Sequence, residues 1–123
     1  SSEFGWDGGN VKISINGGEY QVIPSAAFIF NFYNDFLYSF TTNPLSGQDG
    51  FTGTNFGTLK GSWGQSQIDL TQYGLTSADV IRLRFDFGRD GCASPGVGWY
   101  VDNVTVLLCG GIDVSESESS ESV

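Results

Sequence analysis

Apolar and polar residues alternate with a period of two in several short runs, the signature of strands with one face in a core. The clearest run is VKISI at 11–15, where Val11, Ile13 and Ile15 alternate with Lys12 and Ser14. Asn16-Gly17-Gly18 follows, and EYQVI at 19–23 returns. Asn-Gly between two such runs predicts a tight hairpin, because both residues tolerate the positive φ that the turn demands. AAFIFNFYNDFLYSF at 26–40 predicts one long strand, or two broken near Asn34-Asp35, and SQIDL at 66–70 predicts a short one. VIRLRFDF at 80–87 predicts a half-buried strand, with Val80, Leu83, Phe85 and Phe87 toward the core and Arg82, Arg84 and Asp86 toward solvent. WYVDNVTVLL at 99–108 predicts the last strand. Between these, 41–64 and 89–98 are loop-rich, the first with Leu45, Phe51, Phe56 and Leu59 as anchors beneath it. No stretch combines helical spacing with a capping box, and no period marks a repeat array. The expected fold is all-β, a two-sheet antiparallel sandwich.

Composition sharpens this. The 123 residues hold 10 Phe, 5 Tyr, 3 Trp and 18 Gly but no Met, a mixture suited to strands and turns. After Cys109 the chain changes abruptly to GGIDVSESESSESV, which lacks aromatics. One domain over 1–110 is therefore expected, followed by an acidic Ser/Glu-rich disordered tail or linker over 111–123. The formal charge is −9, and four of the acids, Asp113, Glu116, Glu118 and Glu121, lie in that tail. Such a balance argues against nucleic acid as partner, since no cationic patch is available for phosphates. No apolar run reaches membrane-spanning length and no signal peptide is evident, so membrane insertion is not expected.

The last predicted strand contains an anomaly. Tyr100, Asp102, Val104, Val106 and Leu108 share one parity; Trp99, Val101, Asn103, Thr105 and Leu107 share the other. Both sets are mainly apolar, so the strand is expected to be central and buried on both faces. A buried, unpaired carboxylate would cost several kcal/mol, roughly the stability of a small domain. Asp102 then needs backbone N–H donors, an arginine such as Arg84 or Arg89, or a cation. Calcium takes six to eight hard oxygen ligands, which loops rich in Asp, Gly and carbonyls supply. Asp7 in GWDGG and Asp90 in GRDG carry the same ambiguity, although Asp-Gly is also an ordinary turn.

Taken in order, these motifs resemble the jelly-roll accessory domain of secreted bacterial metallopeptidases of the immune-inhibitor-A and fungalysin-like groups. WDGGNVKISINGGEY resembles the opening strand pair of that domain, NPLSGQDGFTG its middle loop, IDLTQYG its crossover and RLRFDFGRDG its arginine-bearing strand. GWYVDNVTV resembles its closing strand and is also similar to the end of MAM domains. The resemblance spans about residues 3–109 and implies a jelly roll from a larger extracellular protein, with neighbouring domains as companions. It further implies a structural calcium site, whose matching positions here are Glu3 or Asp7 with Asp102. The family's closing strand often has two consecutive aspartates, and here the second is Asn103, which offers a carbonyl oxygen with one charge fewer.

With export implied, the even pair Cys92 and Cys109 is expected to form a disulfide. Ten residue steps from Trp99 to Cys109 reach about 33 Å when extended, against about 23–25 Å for the seven steps from Cys92 to Trp99. A disulfide needs Cα atoms within about 7 Å, so the final strand must bend or stop near Val106.

For function, the expectation is a non-catalytic extracellular accessory module that binds a protein, matrix or glycan partner. The alternative is a carbohydrate-binding module whose exposed aromatics stack on sugar rings. Trp6, Trp63, Tyr73 and Trp99 are the candidates, with Trp63 in its Gly-flanked loop the foremost. An enzyme is disfavoured. The chain has no His, so a nucleophile triad lacks its base, and only Lys12 and Lys60 could serve a Ser–Lys dyad. Asp86 with Asp90 or Asp49 are conceivable carboxylate pairs, of a kind any acidic domain offers.

Overall fold

The computed structural model describes residues 4–53, 64–91 and 98–107. Seven strands are found there: β1 (Gly8–Ile15), β2 (Gln21–Val22), β3 (Phe28–Phe30), β4 (Asp35–Phe36), β5 (Asp49–Thr52), β6 (Gln67–Ile68) and β7 (Ile81–Gly88). Two single-turn 3-10 helices, Ser25–Ala27 and Thr71–Tyr73, are the only helical pieces among the described residues. The chain is thus all-β, and every strand pair is antiparallel.

β1 organises the larger, five-stranded sheet. Along one edge β7 pairs with its whole length, from Gly8↔Gly88 to Ile15↔Ile81. The other edge is shared, with β2 at Lys12 and Ile13 and β5 at Gly8 and Gly9; β4 then joins β5. A separate two-stranded sheet pairs β3 with β6. The expected hairpin is present. Asn16 and Gly17 have φ of 53° and 76°, and the Gly18 N–H closes the turn onto the Ile15 carbonyl at 3.0 Å. This positive-φ pair matches the right-handed twist of the flanking strands. The Asn16 amide then grips the start of β7, donating to Asp79 and accepting from the Val80 N–H, each at 2.8 Å.

The core forms on the odd-numbered face of β1. Val11 and Ile13 pack with Ile23, Ala27, Phe28 and Tyr33, and with the half-buried Phe51, Leu83, Phe85 and Trp99 around them. Gly9 continues this face without a side chain, so the Trp99 indole can lie directly against the backbone there. The opposite face of β1 is buried too, yet carries Asn10, Lys12 and Ser14. Each is held: Ser14 Oγ donates to the Gly18 carbonyl, Lys12 pairs with Asp86, and the Asn10 amide donates to Gln48 Oε1 and the Asp49 carbonyl. Buried polar groups persist where hydrogen bonds replace those lost to water.

Four expectations need correction. The 26–40 run breaks earlier than Asn34, because Asn31 takes a left-handed φ of 50° directly after β3. β5 arises inside the stretch read as loop, where Gly50 has no side chain to obstruct the approach of β1. In β7, Ile81 rather than Val80 faces the core, since Val80 lies outside the strand and is exposed. The largest correction concerns 98–107, which form no strand and leave Asp102 and Asn103 exposed. Asn103 has a φ of 53°, and its N–H bonds the Asp102 carboxylate at 2.8 Å. A short polar pair that satisfies its own backbone competes with strand pairing, and here it prevails.

Candidate functional site

A row of aromatic rings emerges on the surface of the segment that follows β3. Asp35 and Phe36 form β4, and Ser39 and Phe40 lie in the turn that follows, both exposed. Leu37 is fully buried, whereas Phe36 is 50% and Phe40 74% exposed. Tyr38 lies between them, its ring 6.4 Å from Phe36 edge-to-face and 5.3 Å from Phe40 in a stack tilted by only 13°. Trp6 meets the row from the side, edge-on to Tyr38 at 5.9 Å and to Phe40 at 5.4 Å. Such offset and edge-to-face geometries are the favoured ones for aromatic pairs.

The backbone beneath the row is tied on both sides. The Leu37 N–H donates to the Gln48 carbonyl, the Gly47 N–H to the Leu37 carbonyl and the Tyr38 N–H to the Gly5 carbonyl, all at 2.8 Å. Gly5, at φ 76°, is required twice over: its conformation suits glycine, and a Cβ would run into the Tyr38 ring. The Trp6 carbonyl accepts from Asn43 Nδ2 at 2.7 Å, and Asn43 Oδ1 in turn accepts from the Leu45 N–H. Thr52 Oγ1 completes the frame by accepting from the Gly5 N–H and donating to the Asp7 carbonyl. The rings therefore stand on a hydrogen-bonded base.

Of the residues expected to hold a metal, two come together. Asp7 is only 2% exposed, and its Oδ1 accepts the Asp90 N–H at 3.1 Å. Among the described residues the buried acid is therefore Asp7, not Asp102. Asp102 and Asn103 are both exposed, and the Asp102 carboxylate accepts the Asn103 N–H. Among the described residues no three acidic or cysteine side chains converge. Glu3, Trp63, Cys92 and Cys109 lie outside the described residues, as does Lys60.

The aromatic candidates separate clearly. Trp6 packs edge-on against Tyr38 and Phe40 and is half-buried, as are Tyr73 and Trp99, which pack against the core. Phe36, Tyr38 and Phe40 were missed because a dense aromatic run reads as core. The signal that could have found them is their strict alternation with Leu37 and Ser39 in DFLYSF.

Of the acid–base candidates, Lys12 and Asp86 are engaged with each other. Lys12 Nζ lies 2.7 Å from Asp86 Oδ2, and Arg84 grips the same carboxylate through Nε and a second nitrogen at 2.7 and 3.0 Å. Burial pushes the Asp86 pKa upward, but the hydrogen bonds and charges of Arg84 and Lys12 outweigh it and hold the carboxyl below its usual range. Arg84 also lies 4.2 Å from the centre of the Tyr20 ring. A carboxylate claimed by two cations is a structural anion and a poor general base.

No helix among the described residues is long and apolar enough to cross a membrane. No protein-family model, curated protein or solved structure matches this chain.

Proposed function

We propose that this is a non-catalytic extracellular binding module on a jelly-roll sandwich, with the Phe36, Tyr38, Phe40 and Trp6 rings as its contact surface. The observation that carries this reading is the exposure of Phe36 and Phe40 on a braced backbone, with the half-buried Tyr38 and Trp6 rings packed against them. Leaving a Phe side chain in water forgoes about 1.5–3 kcal/mol of burial, so a contiguous aromatic surface implies a partner that covers it. The absence of His, and the engagement of Lys12 and Asp86 with each other, support a role in binding rather than catalysis.

The same row favours the carbohydrate-binding reading over a protein or matrix partner. Pyranose rings present C–H groups that pack on aromatic faces. Of the row's side chains, all four are rings and only the Tyr38 hydroxyl and the Trp6 N–H are polar. The surplus of carboxylates points to a neutral glycan rather than an acidic one.

Affinity electrophoresis through gels containing neutral polysaccharides tests this. The protein should be retarded by at least one of them, and Phe40→Ala should abolish the retardation while leaving the melting temperature within about 2 °C, as for an exposed site. Unretarded migration across the whole panel would sink the glycan reading. Structural calcium belongs to this proposal through Asp7 and Asp90, which are joined by the hydrogen bond from the Asp90 N–H to Asp7 Oδ1.

A further inference from the structure

Residues 99–107 combine strong strand-forming chemistry with no strand partner. Trp99 is firmly anchored: its ring lies against Gly9 on the core face of β1, 6.1 Å from Phe51 and 6.2 Å from Phe85. Beyond it, Tyr100, Val101 and Val104 are exposed and Leu107 is 81% exposed. The only hydrogen bond of this stretch is the local one from the Asn103 N–H to Asp102. Val, Thr and Tyr are the residues that favour a pleated, half-buried surface.

The β3–β6 sheet has the converse deficiency. Two strands alone are marginal in water. Here Phe28 packs into the core, while Ile29 and Phe30 remain exposed. Among the described residues nothing pairs with the outer edge of β3. The rings of Trp99, Phe51 and Phe28 follow one another at 6.1 and 6.2 Å, so the anchor of the free segment stands two ring contacts from β3. The free edge of β7 is a worse destination. Arg82 and Arg84 line that strand, and charged side chains deter edge pairing.

We propose that residues 100–107 are a strap that closes as a third strand on the outer edge of β3, and that Asp102-Asn103 is the latch that holds it open. Opening is encoded at one residue. Asn tolerates the left-handed region better than any branched side chain, and its N–H is already satisfied by Asp102. Rotating Asn103 into the extended region breaks that bond and straightens the chain. A few backbone groups of 100–107 then gain partners on the three-residue β3, and Val104 and Leu107 lose contact with water. An acid and an amide in the middle of an apolar strand thus make its pairing reversible.

Amide hydrogen exchange on the full chain, read by NMR, tests the strap. In the native protein the amides of 101–107 should exchange about tenfold or more slower than an unstructured peptide, as expected of a segment that closes and reopens. Asn103→Val disfavours the left-handed state and should raise that protection further. Val104→Pro removes a donor and should abolish it, while β1 amides stay protected. Cross-strand contacts should link 100–107 to Ile29 and Phe30. Unprotected exchange in both the native chain and Asn103→Val would overturn the proposal. So would contacts to β7 in place of β3, or protection that appears only with concentration and dimer mass, which would mean exchange between copies.

Discussion

Lys12 and Arg84 face each other across β1 and β7, and both reach Asp86. The Lys12 side chain is 10% exposed, so its ammonium depends on that carboxylate in a place water hardly enters. Asp86→Asn should destabilise the fold by about 3 kcal/mol, mostly through the uncompensated Lys12 charge. Adding Lys12→Met should recover much of the loss in chemical denaturation. The acid dependence follows from the same geometry. The folded pKa of Asp86 lies below its unfolded value, so its contribution is complete above about pH 4 and fades as pH falls through the folded value. The Asp86→Asn variant should therefore lose less stability than the native protein below pH 4.

At the alkaline end Tyr33 governs. Its hydroxyl donates to the Val11 carbonyl and accepts the Val11 N–H, each at 3.2 Å, within the core. Burial pushes the phenol up to about 12, against the opposing pull of the Val11 hydrogen bond. Unfolded Tyr33 ionises near pH 10 while the folded residue resists, so stability should drain away between about pH 10 and 12. Tyr33→Phe should cost about 1 kcal/mol at neutral pH and flatten that alkaline decline in a melting series.

Gly9 and Trp99 give a packing test. An added Cβ at Gly9 would collide with the indole, while the backbone φ itself is ordinary. Gly9→Ala should cost about 2 kcal/mol by overpacking and shift tryptophan emission to the red as Trp99 is displaced. Unchanged emission with unchanged stability would contradict the placement of Trp99 over β1.

Calcium removal separates the two acids. EDTA should lower the melting temperature and added calcium restore it, with Asp7→Asn insensitive to both. Asp102→Asn should respond to EDTA as the native chain does. An EDTA-insensitive native protein would leave Asp7 as a hydrogen-bonded carboxylate and nothing more.

The elements legible in the sequence were those whose signals were local. The Asn16-Gly17 turn, β1 and β7 each declare themselves through alternation and turn chemistry within about ten residues. β5 did not, because DGFT becomes a strand through pairing with Gly8 and Gly9, more than forty residues away, and with Asp35 and Phe36. The physical argument that a buried acid needs a partner was sound, but it attached to Asp102, whose apolar neighbours suggested burial. Asp7, flanked by Trp6 and two glycines, read equally well as an ordinary turn and is the buried one. For the aromatic row, composition misled: rings in such number imply a core, and only the alternation around Leu37 distinguishes the outward ones.

The central place of β1 also bears on how the molecule assembles. Its longest partner comes late in the chain: Ile15 must wait for Ile81, and Gly8 for Gly88. Until then a strand with an apolar face has two short pairings to lean on, with β2 at Lys12 and Ile13 and with β5 at Gly8 and Gly9. Closing so long a loop before the reward arrives makes such topologies slow. During synthesis, therefore, the earliest strand made should be the one most in need of shelter from chaperones.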